Sequence, residues 1–179
     1  MQKDRNTNKI YIAYHSPKTP GNSYIYDVLT KEKKLVKKEI VPSGHQPDDY
    51  IVERLNCDSH DGRKIPLTIT RHKKTKLDGK ANLLLYAYGS YGASMGPGFS
   101  SSRLSLINRN IIWVTAHIRG GMERGMSWWK EGKMLNKKNT FEDYISSAKF
   151  LIKKNYTNKG KIIGMGGSAG GLLMGAVVN

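Results

Sequence analysis

Gly166, Ser168 and Gly170 stand in a G-x-S-x-G arrangement between a short apolar run at 161–165 and a longer one at 172–178. A serine hydroxyl on a sharp turn from strand to helix can attack a carbonyl, because the turn exposes it to a base and to a substrate together. Backbone strain at such a turn calls for small neighbours, and the flanking glycines supply them. The same turn aims the first N–H groups of the following helix at the oxygen that becomes negative during the attack. With 19 glycines in 179 residues the pattern alone is weak, and its place on a strand-to-helix junction is what gives it weight. A base is harder to find. An acid and then a histidine usually follow this serine in chain order, yet no Asp, Glu or His occurs after Ser168. His15, His45, His60, His72 and His117 all lie upstream, and His117, the one nearest the turn in the expected sheet, reads as a structural loop residue.

A nucleophile of this kind works only if regular elements hold it, and the chain beyond Leu77 has the pattern for them. Apolar runs alternate there with helical periodicity, which is the signature of an α/β unit with parallel strands. Residues 82–88 are a buried-strand candidate ending in Gly89, Ser90, Tyr91 and Gly92. A second candidate, 110–118, ends in Arg119, Gly120 and Gly121, and 102–108 between the two suit a short helix. From 140 to 154, Phe141, Tyr144, Ile145, Ala148, Leu151 and Ile152 share one face of a 3.6-residue period. Thr140 with Asp143 three residues later predicts a capping box at its start. A turn at 155–158 leads into a third strand, 161–165, so that strand, helix and strand make a right-handed crossover delivering Ser168. Arg119 with its two glycines reads as a tight turn held by an ion pair to Glu123 or Glu142.

Upstream the pattern differs. Residues 9–14, 24–29 and 34–41 read as short strands separated by Pro17, by Pro20 with Gly21 and by a charged turn at 31–34. Three strands do not make a domain, so they are expected to end a larger all-β unit, with 42–47 as the linker leaving it. Residues 50–57 and 64–71 around Asp61 and Gly62 predict a hairpin.

A hydrophobic content of 38% over 179 residues suffices for one core. No stretch reaches the length of a membrane span, and the charged start, residues 1–6, has no apolar signal-peptide core, so a cytoplasmic location without a membrane partner is expected. The single Cys57 excludes an internal disulfide and a cysteine cluster, and neither a metal nor a cofactor is expected. A net charge of +16 invites a nucleic-acid reading. The cations are scattered through 31–38, 71–76, 137–138 and 153–161 instead of lining one element, which favours solvated surface over a nucleic-acid site.

Five longer motifs recur in one order: 83–92 (Leu-Leu-Leu-Tyr-Ala-Tyr-Gly-Ser-Tyr-Gly), 99–106 (Phe-Ser-Ser-Ser-Arg-Leu-Ser-Leu), 117–121 (His-Ile-Arg-Gly-Gly), 137–141 (Lys-Lys-Asn-Thr-Phe) and 166–178. In order and spacing they resemble the prolyl oligopeptidase family of serine peptidases, and the oligopeptidase B group within it, from about Tyr14 onward. The resemblance implies that 1–41 are the final strands of a β-propeller, 42–49 a linker, and 50–179 the N-terminal part of an α/β-hydrolase peptidase domain. It implies that Ser168 is the nucleophile, that the Tyr88 hydroxyl and the Ala169 N–H form the oxyanion hole, and that short peptides are the substrates. Without it, Tyr88 reads as a strand-end aromatic packing under its loop. The family's catalytic Asp and His lie downstream, as do the acidic residues that select Lys or Arg. This chain is therefore expected to be a truncated fragment, inactive alone, with an unpaired apolar edge beside its last strand and with a downstream chain supplying the missing groups. Two other readings stay open: a noncatalytic basic binding protein on a retained hydrolase scaffold, and an esterase on the same fold.

Overall fold

Turn chemistry sets the register of the first sheet. The Ser16 hydroxyl accepts the Thr19 N–H at 3.0 Å, and the Asp27 carboxylate accepts those of Leu29 and Thr30 at 2.9 and 3.1 Å, each folding the chain back on itself. The result is an antiparallel sheet of β1 (Lys9–Ser16), β2 (Thr19–Asp27) and β3 (Lys33–Lys38) in that order. The computed structural model describes residues 7–178; the charged start and Asn179 lie outside the described residues. All three expected strands are present, although the third stops at Lys38, and Val41 packs instead against an apolar cluster of the second sheet. No residue of β1 to β3 joins either apolar cluster, and Tyr11, Tyr14 and Val36 are more than half exposed.

The second sheet carries the core. Its hairpin pairs β4 (Tyr50–Asp58) with β5 (Lys64–His72) in unbroken antiparallel register, closed by a turn in which Gly62 adopts φ +80°. There follow β6 (Leu83–Tyr86), α1 (Ser101–Ile107), β7 (Ile112–Ala116), α2 (Met126–Lys130), α3 (Lys138–Lys153), β8 (Ile162–Met165) and α4 (Ala169–Val178). The sheet order is β4-β5-β7-β6-β8, with β7, β6 and β8 parallel to one another. The crossover through α3 thus reaches β8 by passing over β6, and its two strands are not neighbours as the simplest βαβ reading would have them.

Alternation assigns the faces. Leu83, Leu85, Ile112, Val114 and Ala116 point to one side, where Tyr144 and Leu151 of α3 and Leu173 of α4 cover them. Leu84 and Trp113 point to the other and meet Leu104 and Ile107 of α1. Among the described residues β8 pairs only with β6, and Ile163 and Met165 remain 47% exposed.

The start and face of α3 differ from expectation. Lys137 is its N-cap and makes no side-chain cap, while Thr140 and Asp143 are fully buried. The buried face is Thr140, Asp143, Tyr144, Ser147 and Leu151, rotated from the apolar face because the polar side chains have partners inside. The Thr140 hydroxyl meets the carbonyls of Arg119 and Gly132 at 2.9 and 3.1 Å, and Asp143 receives Arg119, so there is no capping box.

Candidate active site

The parallel pairing of Tyr86 with Met165 brings two chain ends together on one rim of the sheet. Beyond Met165 the chain turns through Gly166 and Gly167 into Ser168, whose φ of +53° lies in the left-handed region that a side chain rarely adopts. Two backbone bonds fix the turn, from Gly170 N–H to the Gly167 carbonyl and from Gly171 N–H to the Ser168 carbonyl, both 2.8 Å. Gly166 is required for space, since a Cβ there would sit 2.4 Å from the Gly170 carbonyl oxygen. Ser168 is exposed. Ala169 opens α4, so its N–H has no acceptor within the helix and is available to an oxyanion.

Tyr88 lies two residues past the end of β6 and packs beside this turn: a Cβ on Gly170 would be 3.7 Å from both Cα and Cδ2 of Tyr88. Ser168, Tyr88 and Ala169 are thus together at the strand ends. The Tyr88 loop is shaped by a close meeting of backbones. A Cβ on Gly120 would lie 2.0 Å from the Gly89 carbonyl oxygen, and one on Gly132 would lie 2.2 Å from the Gly120 nitrogen. Lys137 completes the anchorage by donating to the Gly89 carbonyl at 2.6 Å and to the Ser90 hydroxyl at 2.7 Å. Its ammonium is half buried, and burial holds its pKa below the ordinary lysine value. Apart from belonging to the 137–141 motif, Lys137 gives no sign in the sequence of this contact.

His117 is not a base for Ser168. Its ring is buried between the Thr68 hydroxyl, 2.8 Å from Nε2, and the Glu123 carboxylate, 3.4 Å from Nδ1. Burial pushes the Glu123 carboxyl up, but hydrogen bonds from His117 and from the Met95 N–H outweigh it and leave the group below the ordinary range. Among the described residues no side chain hydrogen-bonds the Ser168 hydroxyl, and no group of three or more His, Cys, Asp or Glu could hold a metal ion.

Arg119 pairs with neither acid expected for it. Its side chain is 1% exposed and reaches Asp143 Oδ1 through Nη2 at 2.6 Å, Asp143 Oδ2 through Nε at 2.9 Å, and Asp61 in the hairpin turn. Burial disfavours the guanidinium, and the two carboxylates more than reverse this, holding its pKa above the ordinary arginine value. The network ties the hairpin turn and α3 to the end of β7, on the same rim as Ser168. Sequence spacing could not find it, because Asp61 and Asp143 lie 58 and 24 residues from Arg119.

An exposed serine in a left-handed turn, with a tyrosine and a helix N-terminus beside it, has the chemistry to supply a nucleophile and hydrogen-bond donors to an oxyanion. The sequence profile of the prolyl oligopeptidase family matches residues 97–179. Dipeptidyl aminopeptidase BI of Pseudoxanthomonas mexicana is 45% identical over 174 residues, which are 97% of this chain and 24% of that protein. Protease 2 of Moraxella lacunata is 40% identical over 178 residues, 99% of this chain and 26% of its own length. The structure of oligopeptidase B from Leishmania major superposes with a TM-score of 0.87 at 38% identity, covering 97% of this chain and 24% of that one. The chain is thus similar, over the part compared, to proteins of the prolyl oligopeptidase family. Within that family oligopeptidase B is among the proteins it resembles, and it spans about a quarter of the length of the curated relatives it matches.

Proposed function

We propose that Ser168 is the nucleophile of a serine peptidase that cleaves short peptides. In this reading Ser168 Oγ attacks the scissile carbonyl and its proton passes to a histidine. The resulting oxyanion is held by the Tyr88 hydroxyl and the Ala169 N–H. Collapse expels the amine, and water then hydrolyses the acyl-enzyme. Residues 1–41 would be the last strands of a β-propeller and 50–179 the first part of an α/β-hydrolase domain. The observation that carries the proposal is the φ of +53° at an exposed serine between β8 and α4, a conformation whose cost the fold bears at a position useful for chemistry.

The histidine and its acid come, in this proposal, from polypeptide outside these 179 residues, so the chain alone is inactive. A serine without its base retains only the modest catalysis of oxyanion donors and binding, about 10³–10⁴-fold over water. Labelling by a fluorophosphonate probe tests both parts. The 179-residue chain should not label, and a polypeptide that contains it together with the downstream Asp and His should label at Ser168. Labelling that survives Ser168→Ala in the longer polypeptide would overturn the nucleophile assignment, and Ser168-dependent labelling of the isolated chain would overturn its inactivity.

A further inference from the structure

Beside the Ser168 turn opens a cleft of about 530 Å³, reaching Ala169 and walled by Tyr91, Trp129, Met134 and Leu172. Two lysines, Lys133 and Lys137, are among its lining residues, and no Asp or Glu is. The Lys133 ammonium sits 3.8 Å over the ring of Trp129. Lys137 uses two of its three N–H donors on Gly89 and Ser90. Among the described residues neither lysine pairs with a carboxylate, whereas the partly buried Arg71 and the fully buried Arg119 are met by Glu53 and by Asp61 and Asp143. Cations taken partly out of water are ordinarily paired, because an uncompensated charge in a partly apolar site is costly. The lowered pKa of Lys137 reflects that cost. An anion entering the cleft would relieve it and would meet unused N–H donors and a tryptophan face together.

We propose that this cleft is a carboxylate subsite, in which a peptide carboxylate, from an acidic side chain or from the chain end, lies between Lys133 and Lys137 with apolar atoms against Trp129 and Leu172. This rests on the peptidase reading only in taking the ligand to be a peptide; the binding itself needs no activated serine. The +16 charge of the whole chain would draw any acidic peptide weakly, so the test must separate a built site from a general field.

Affinity is read from tryptophan fluorescence of the 179-residue chain titrated with four acetylated peptides of one length. One carries Glu with an amidated end, one Gln with an amidated end, one Gln with a free carboxylate end, and one Lys with an amidated end. At least one of the two carboxylate peptides should bind about tenfold or more tightly than the neutral one, as expected for charge-assisted hydrogen bonds. Which of them does so identifies the source of the carboxylate. Lys133→Met and Lys137→Met should each remove most of that preference. Lys137→Arg should retain it, which guards against a loss caused by a disturbed Gly89 loop. The exposed Lys153→Gln and Lys159→Gln, carrying the same charge change away from the cleft, should leave the preference intact. Equal binding of the neutral and acidic peptides overturns the proposal, as does a loss in the Lys153 and Lys159 variants equal to that at Lys133 and Lys137. Ser168→Ala should bind as the parent does, so failure of the nucleophile assignment and failure of the subsite give different results.

Discussion

At the scale of single residues, the strand-to-helix turn at Ser168 is legible in the sequence and the partners of Arg119 are not, for one physical reason. Such a turn is local, and its glycines, strand and helix are contiguous in sequence. The partners of Arg119 come from a hairpin turn and a helix that only the folded sheet brings together. Removing one member of a buried ion pair strands the other, so Arg119→Met should destabilise the fold by about 3–5 kcal/mol in urea unfolding. Adding Asp143→Leu should recover a substantial part of that, since Asp143 is then no longer an unpaired buried charge, while Asp61 at 36% exposure can be solvated. A double variant as unstable as the single one would mean that the pair contributes chiefly through something other than charge compensation. Glu123 makes a prediction in pH. Its carboxyl, ordinarily at 4.5, is held lower in the folded chain by His117 and the Met95 N–H despite its burial. The unfolded chain therefore takes up that proton first on acidification. The stability Glu123 contributes is fully present above about pH 4.5 and is lost as pH falls through the lower folded value. The urea midpoint should decline more steeply below pH 4.5 in the parent than in Glu123→Gln, and parallel declines would remove Glu123 from the account.

At the scale of elements, the strands of the second sheet are legible for two reasons: the antiparallel pair β4 and β5 is marked by its turn at Asp61 and Gly62, and the parallel strands β6, β7 and β8 read as continuous apolar runs with loops of glycine between them. The sequence pattern finds only part of the inner face of α3, Tyr144 and Leu151 with Phe141 and Ala148 packed beside them, because periodicity counts apolar side chains and cannot see that Thr140, Asp143 and Ser147 find partners inside. Ser147 donates to the Asp143 carbonyl at 2.7 Å and lies 3.6 Å from the Cys57 sulfur, so a hydroxyl occupies a position that the apolar count would leave to solvent. The strand-to-helix turn shows the same dependence on close neighbours. Gly166 and Gly167 are adjacent and look equivalent in sequence, yet a Cβ on Gly166 would collide with Gly170 backbone, while one on Gly167 meets nothing within 4 Å. The obstacle is the first turn of α4, which cannot yield without moving Ser168. Gly166→Ala should cost about 1–3 kcal/mol in thermal unfolding, in line with overpacking at a rigid site, and should abolish probe labelling in the longer polypeptide. Gly167→Ala should change stability by no more than about 0.5 kcal/mol. Equal effects at the two positions would show that the turn is held by something other than the approach of Gly166 to α4.

At the scale of the whole molecule, two opposed tendencies follow from where charge and apolar surface lie. β8 bounds the second sheet with an edge that carries Ile163 and Met165 at 47% exposure, and α4 beside it leaves Leu172 at 60% and Val178 at 83%. An exposed edge next to an apolar helix face is a template for pairing with another chain. Against this stands a net charge of +16, which repels a second copy over the distance that salt allows. That distance is about 10 Å at 0.1 M ionic strength and about 3 Å at 1 M, whereas the apolar contact is not weakened by screening. Salt should therefore decide between the two. Sedimentation velocity should find the chain chiefly monomeric near 0.05 M NaCl and increasingly associated as NaCl is raised toward 1 M. Ile163→Lys, which places a charge on the edge itself, should hold the monomer at the higher salt. Dissociation on adding salt would mean that ion pairs, and not the β8 edge, hold the copies together, and association unaffected by Ile163→Lys would move the contact to the exposed tyrosines and Val36 of the first sheet.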